Sequence, residues 1–244
     1  MKSVVVAVIA LAAYCLPLSS AMAKDEALKP AAAATKAVRD DAVKISNAAK
    51  VIKEIAAIPK KKIPPDLLSG SSAVVIFPKV AKHDLMVKGG KTGGILLVHE
   101  ADGVWSNPVF LTLSGGTIGW QVVSDHLDII LVIKSKKSVD AILKGKFAMD
   151  AKIALVPGRL GPSMKAATPA ELKADISSYI RSSGTFWDEV TVAGTTLQID
   201  AAANDAFYAQ PKVEVTEIVS GTLLKSSEEI TSLQKLLTSY ATVK

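Results

Sequence analysis

Ala73-Val74-Val75-Ile76-Phe77 and Leu127-Asp128-Ile129-Ile130-Leu131-Val132-Ile133-Lys134 are short aliphatic runs with little polar interruption, the texture of buried strands rather than of surface helices. Between them lie Gly94 to Glu100, Val109 to Leu113 and Thr117 to Val123, punctuated by Gly89-Gly90, Asp102-Gly103 and Gly115-Gly116. Links this short predict antiparallel pairing, because a parallel crossover needs a dozen residues or more. Beyond them, Ser138 to Lys144, closed by Gly145, reads as a helix, and Phe147 to Val156 and Val190 to Ile199 read as extended. A last helix is expected to start near Ser226, with Glu229 completing a capping box and Ile230, Leu233, Leu236, Leu237 and Tyr240 on one face. The expected class is α+β, one domain with a curved antiparallel sheet or partial barrel flanked by helices.

Upstream of Pro64-Pro65 the period changes. Val38, Ala42, Ile45, Ala49, Ile52 and Ile55 recur at spacings of three and four, while Lys36, Arg39, Lys44, Lys50 and Lys53 fall largely between them. This is a basic amphipathic helix that ends before Pro59 and runs into Lys60-Lys61-Lys62. Such a helix either packs on its own domain with a solvated basic edge or works at a membrane surface. Lys24 to Thr35, with Pro30 and Ala31 to Ala34, reads as a flexible Ala-rich tether. Before it, Lys2, the apolar run Val4 to Leu16 and the small-residue ending Ala21-Met22-Ala23 have the order of a cleavable secretory signal. The apolar run is too short for the roughly 20 residues that span a bilayer. The expected organisation is a signal over 1–23, a tether over 24–35 and a domain over 36–244, exported to the periplasm.

Cys15, the only cysteine, falls inside that leader, so the exported chain would have no disulfide and no thiol ligand. Loss of residues 1–23 removes one lysine and no acid, leaving 28 basic groups against 23 acidic ones. With 3 Trp, 4 Tyr and 5 Phe the core rests on aliphatic residues, and base-stacking platforms for nucleic acid are not expected. Gly90-Lys91-Thr92 ends like a phosphate-binding loop, but Leu85 stands where that loop needs glycine, and Gly93 to Val98 reads as strand, which excludes the nucleotide motif. His83, His99 and His126 lack the spacing that places two imidazoles on one helical face. Asp125, His126 and Asp128 read as a turn rather than an acid/base pair. No G-x-S-x-G elbow is present. The sequence therefore predicts neither an enzyme nor a cofactor.

A succession of small motifs carries more information. Trp105-Ser106-Asn107-Pro108, Gly115-Gly116-Thr117-Ile118-Gly119-Trp120-Gln121, Asp150, Ser178-Tyr179 and Ser183-Gly184-Thr185-Phe186 follow in order. Gly194, Leu197 and Asp200, then Asn204 with Phe207-Tyr208, continue them. This order resembles the SYLF domain family over roughly residues 38 to 224, and with the leader it points to a secreted bacterial branch. Departures from the family pattern are Val123 in place of glycine, Trp187-Asp188 in place of Ala-Gly, and the rearranged Pro157-Gly158-Arg159-Leu160-Gly161-Pro162.

The resemblance implies a lipid-binding module, since eukaryotic SYLF proteins bind phosphoinositide membranes and some bundle actin. For an exported chain the corresponding partner is an anionic phospholipid surface, engaged through Lys50, Lys53, Lys60, Lys61 and Lys62. The alternative is an envelope protein-interaction or structural domain without a lipid ligand. The motif residues themselves are open to a structural reading: Trp105 and Pro108 as pins at a strand start, and Tyr179, Phe186 and Tyr208 as core.

Overall fold

The computed structural model describes residues 22–57, 63–81, 90–100, 102–115, 126–148, 155–157, 175–182, 185–186 and 195–242. The expected leader up to residue 21, the strand expected over Thr117–Val123, Lys60 to Lys62 and the three family departures lie wholly or largely outside these residues. The chain divides after Lys36. Helix α1 (Met22–Ala56) crosses that boundary. The backbone over 24–35, read from sequence as a tether, is therefore helical here, in keeping with the high helix propensity of its alanines.

The second unit, Ala37–Lys244, holds the sheet. Its strands are β1 (Ala73–Ala81), β2 (Lys91–Val98), β3 (Val109–Gly115), β4 (His126–Ile133), β5 (Lys146–Ala148), β6 (Leu155–Pro157), β7 (Ile176–Ser182), β8 (Thr185–Phe186) and β9 (Thr195–Ile199). They are ordered β5-β9-β3-β2-β1-β4-β7-β6, with β8 on β7. Among them only β6 and β7 run parallel; the rest are antiparallel, as the short links required. Ile76 is the pivot of the register, opposite Ile95 on one side and Ile130 on the other. In β1, Ala73 to Phe77 are all fully buried. Side chains alternate faces along a strand, so both faces of the sheet are covered.

The sheet is curved, and β1 shows one cause. Its register with β4 shifts between Phe77 and Val80, and Lys79 in that bulge has φ 52°. Gly94 has a different task. It lies across from Phe77, and a Cβ there would sit 2.4 Å from the Phe77 ring and 2.8 Å from the Ile76 carbonyl oxygen. The glycine leaves room for the aromatic ring against the neighbouring strand.

The helices of this unit are the remainder of α1, then α2 (Pro65–Ser69), α3 (Lys136–Leu143), α4 (Ala201–Tyr208), α5 (Val215–Val219) and α6 (Glu228–Ala241). In α1 the buried positions Asp41, Ile45, Ala48, Ile52 and Ile55 repeat at four and three, the stripe expected of a helix packed on a core. Lys44 reaches Gly93 of β2 and Phe110 of β3, while Glu54 reaches Arg181 of β7. The ten residues between them span about 15 Å of axis, so α1 crosses the centre of the sheet. The α6 cap differs by one residue from expectation. Ser227, not Ser226, accepts the amide of Ile230 at 3.3 Å, because Ser227 is the residue with extended backbone. The expected apolar face holds, with Ile230, Leu233, Leu237 and Tyr240 buried.

Candidate functional site

Of the residues that carry the family resemblance, Gly116 to Gln121, Asp150, Ser183-Gly184 and Gly194 lie outside the described residues, and those from Trp105 to Pro108 and from Asp200 to Tyr208 are scaffold. Ser106 Oγ accepts the Val98 amide at 2.9 Å and donates to the Asn107 carbonyl at 2.9 Å. Asn107 Nδ2 donates to the Lys225 carbonyl at 3.2 Å. Trp105 is buried and stacks on His99, with centroids 4.4 Å apart and planes 10° from parallel. The Pro108 carbonyl accepts the Tyr208 hydroxyl at 2.7 Å. Burial raises the pKa of that hydroxyl. The Trp105 to Pro108 motif thus fixes the start of β3 against β2 and α4.

Asn204 is the strongest of these ties. It is fully buried, its Oδ1 accepts the Phe110 amide at 2.9 Å, and its Nδ2 donates to the carbonyls of Phe110 and Asp200, both at 2.9 Å. The amide side chain does for Phe110 what a neighbouring strand would do, just beyond the point where the β3–β9 ladder ends. Asp200 caps α4 through the Ala203 amide at 3.1 Å. Phe207 meets Phe110 edge to face at 4.9 Å. Tyr179 is likewise core. The side chain of Phe186 is outside the described set.

The surface of α1 is different in kind. Opposite its buried stripe, Arg39, Val43, Ser46, Lys50 and Lys53 are exposed at spacings of four, three, four and three. Three cations and no carboxylate occupy this line, and Val43 stands 55% exposed within it. Of the five lysines read from sequence, the structure places Lys50 and Lys53 here, and Lys60, Lys61 and Lys62 are outside the described residues. Lys50 Nζ lies 3.9 Å from Glu54 Oε1, a loose contact with Lys50 two-thirds exposed. Exposed pairs of this kind leave the cation free to exchange partners at little cost.

The basic edge is held in place by a network that sequence reading did not find. Glu54 is bound by Arg181 Nη1, and Asp128 Oδ2 accepts Arg181 Nη2 at 2.5 Å and Nε at 3.0 Å. Asp128 Oδ1 also accepts the Lys79 amide at 2.9 Å. Burial acts to lower the Arg181 pKa, but the hydrogen bonds to Glu54 and Asp128 outweigh it and the net shift is upward. Asp128 therefore belongs to an ion-pair network that joins α1 to the bulge of β1. It lies within β4 rather than in the turn assigned to it from sequence. At the other end of the helix, Lys44 binds buried Asp41 at 2.8 Å, and burial raises the Asp41 pKa despite that pairing. Among the described residues no cluster of His, Cys, Asp and Glu is arranged to hold a metal ion. No helix among them is long and apolar enough to cross a membrane.

These features define an α+β domain whose described signature residues build the scaffold and whose distinctive surface is a basic helix face. The family model described as Ysc84, a Las17-binding protein actin regulator, matches residues 114–240, just over half of the chain. The chain belongs to this family, the one that the motif succession from Trp105 to Tyr208 resembles. It is 25% identical over 187 residues to SH3 domain-containing YSC84-like protein 1 of Xenopus laevis, covering 74% of this chain and 55% of that protein. The human protein of the same name is 25% identical over 169 residues, 67% of this chain and 49% of its own. LAS seventeen-binding protein 3 of Saccharomyces cerevisiae is 26% identical over 149 residues, 60% of this chain and 32% of its own. The chain thus spans about half or less of these relatives' length. Their names describe SH3-containing and Las17-binding proteins, not enzymes.

Proposed function

We propose that this chain is a non-enzymatic binding module that associates peripherally with anionic phospholipid surfaces, in the envelope if residues 1–23 act as the export signal. The observation that supports it is the line Arg39, Val43, Ser46, Lys50 and Lys53 on a helix whose opposite side is buried in the core. The helix cannot turn this face inward without exposing Ile45, Ile52 and Ile55, so the cations stay presented to whatever approaches. The sequence continues them with Lys60, Lys61 and Lys62. Val43 supplies an apolar contact within the line, the pairing of charge and burial that holds helices at membrane interfaces. Each cation near an anionic surface contributes on the order of 1 kcal/mol.

Vesicle co-sedimentation of the double variant Lys50→Gln, Lys53→Gln tests this. Two cations at about 1 kcal/mol each correspond to roughly a thirtyfold fall in partitioning onto phosphatidylglycerol vesicles. Both side chains are solvated, so the fold should be unchanged. A folded double variant that binds as well as the parent would sink the α1 assignment. A further triple variant, Lys60→Glu, Lys61→Glu, Lys62→Glu, measures the share of the cluster that follows the helix.

A further inference from the structure

Two of the three large apolar side chains left exposed among the described residues line one groove. They are Val104, 57% exposed, and Leu224, 76% exposed. The third is Val43 on the basic helix face. The groove encloses about 360 Å³, with Trp105 and Ile230 among its lining residues. That volume is at the low end of ligand sites, which run from about 300 to 1,000 Å³, and it suits one or two side chains.

The lips are held rigidly. The Glu100 amide donates to the Val104 carbonyl at 2.9 Å and the Gly103 amide to the Glu100 carbonyl at 3.0 Å, in a turn where Gly103 has φ 84°. Asp102 Oδ1 accepts the Val104 amide at 3.0 Å. On the other side Gly221 turns with φ 73°, and the Leu223 amide donates to the Glu217 carbonyl at 2.9 Å. Gln234 of α6 ties the two sides together, donating to the carbonyls of Trp105 at 2.9 Å and Ser106 at 3.1 Å. Val104 and Leu224 are therefore exposed by a built structure.

Charge selects the occupant. Glu100 and Asp102 line the Val104 side, and neither carboxylate meets a cation among the described residues. Lys225, the one cation among the described residues lining the groove, donates its ammonium to the Phe207 carbonyl and stands 4.0 Å from the centre of the Phe207 ring. Against it stand the two carboxylates, which leave the described lining with one net negative charge. On a chain of formal charge +6 this groove is a local negative site.

We infer that the groove between Val104 and Leu224 docks a short extended segment of a partner protein, one that presents an apolar side chain beside a lysine or arginine. The apolar side chain fills the space over Trp105 and Ile230, and the cation pairs with Glu100 and Asp102. The module then carries two independent contacts, one for an anionic surface and one for a basic-apolar peptide.

Fluorescence anisotropy of the full chain tests this with two labelled octapeptide pools, one alternating Lys or Arg with Leu, Ile or Val, the other with Glu in place of every cation. The basic pool should bind and the acidic pool should not. Leu224→Asp should weaken binding at least tenfold, and Glu100→Gln with Asp102→Asn should weaken it several-fold while flattening its salt dependence; the asparagine keeps the acceptor for Val104. Phosphatidylglycerol binding by Leu224→Asp should match the parent. Equal binding of both pools, or undiminished binding by a folded Leu224→Asp chain, overturns the inference. So does loss of peptide binding in the Lys50→Gln, Lys53→Gln variant, which would place the peptide on α1. A concentration-dependent dimer without peptide, abolished by Leu224→Asp, would assign the groove to a second copy of the chain and likewise overturn it.

Discussion

Replacing Asn204 with alanine removes three hydrogen bonds from a fully buried position, and the structure says which loss matters. The Phe110 carbonyl keeps a partner, since the Asp200 amide also donates to it at 3.0 Å. The Asp200 carbonyl keeps the backbone amide of residue 204, at 3.0 Å. The Phe110 amide keeps nothing. An orphaned buried donor costs about 1–3 kcal/mol, and each of the two other bonds contributes about 0.5–1.5 kcal/mol. Against this, alanine is the better helix residue by about half a kcal/mol. The net expectation for Asn204→Ala is a loss of about 3 kcal/mol, which for a unit of this size corresponds to a Tm lower by about 10 °C. Urea unfolding followed by far-UV circular dichroism measures it. A loss below about 1 kcal/mol with unchanged m-value would mean that Asn204 does not act as the missing strand partner of Phe110, and that the motif residue has another role.

Gly94→Ala should destabilise by about 1–3 kcal/mol through overpacking, because the new Cβ would press on the Phe77 ring and the Ile76 carbonyl; a thermal melt equal to the parent's would contradict this. Asp41 gives a pH signature. Its carboxyl is raised above the ordinary 3.8 by burial, so the native state holds the proton more tightly than the unfolded chain. That contribution is fully present below about 3.8, the unfolded value, and is lost as pH rises through the native one. The stability of the parent relative to Asp41→Asn should therefore fall between pH 3.5 and pH 7, and a relative stability that rises with pH would refute it.

How much of this was readable beforehand depended on whether burial followed a simple period. The runs Ala73 to Phe77 and Ile129 to Ile133 were plain because both faces of those strands are buried, leaving no polar interruption. Only the start of β2, Lys91-Thr92, was missed, because these residues read as the end of a glycine loop; the ring of Phe77 and the Lys44 side chain explain the glycines that follow. Strand β7 was hidden by Ser177, Ser178 and Arg181, polar residues that are buried here because neighbouring strands and the ion-pair network satisfy them. Helix α4 was known only as a motif, since its key buried residue is an asparagine. Most of the basic face of α1 was legible from spacing, but Lys44, read with that edge, turns instead to Asp41, Gly93 and Phe110. The groove was not, because Val104 and Leu224 are about 120 residues apart and neither lies on a periodic element.

The central claim, that the chain is a peripheral module for anionic surfaces, is met most directly by a partition isotherm of the intact protein. Vesicles of neutral phosphatidylcholine are compared with vesicles carrying phosphatidylglycerol, each at low and at near-molar salt. Three cations on α1 alone, at about 1 kcal/mol each, predict roughly hundredfold stronger partitioning onto the anionic vesicles at low salt. Most of that preference should vanish when the screening length falls to about 3 Å. Equal partitioning onto both vesicle types, or no partitioning onto either at low salt, would contradict the account.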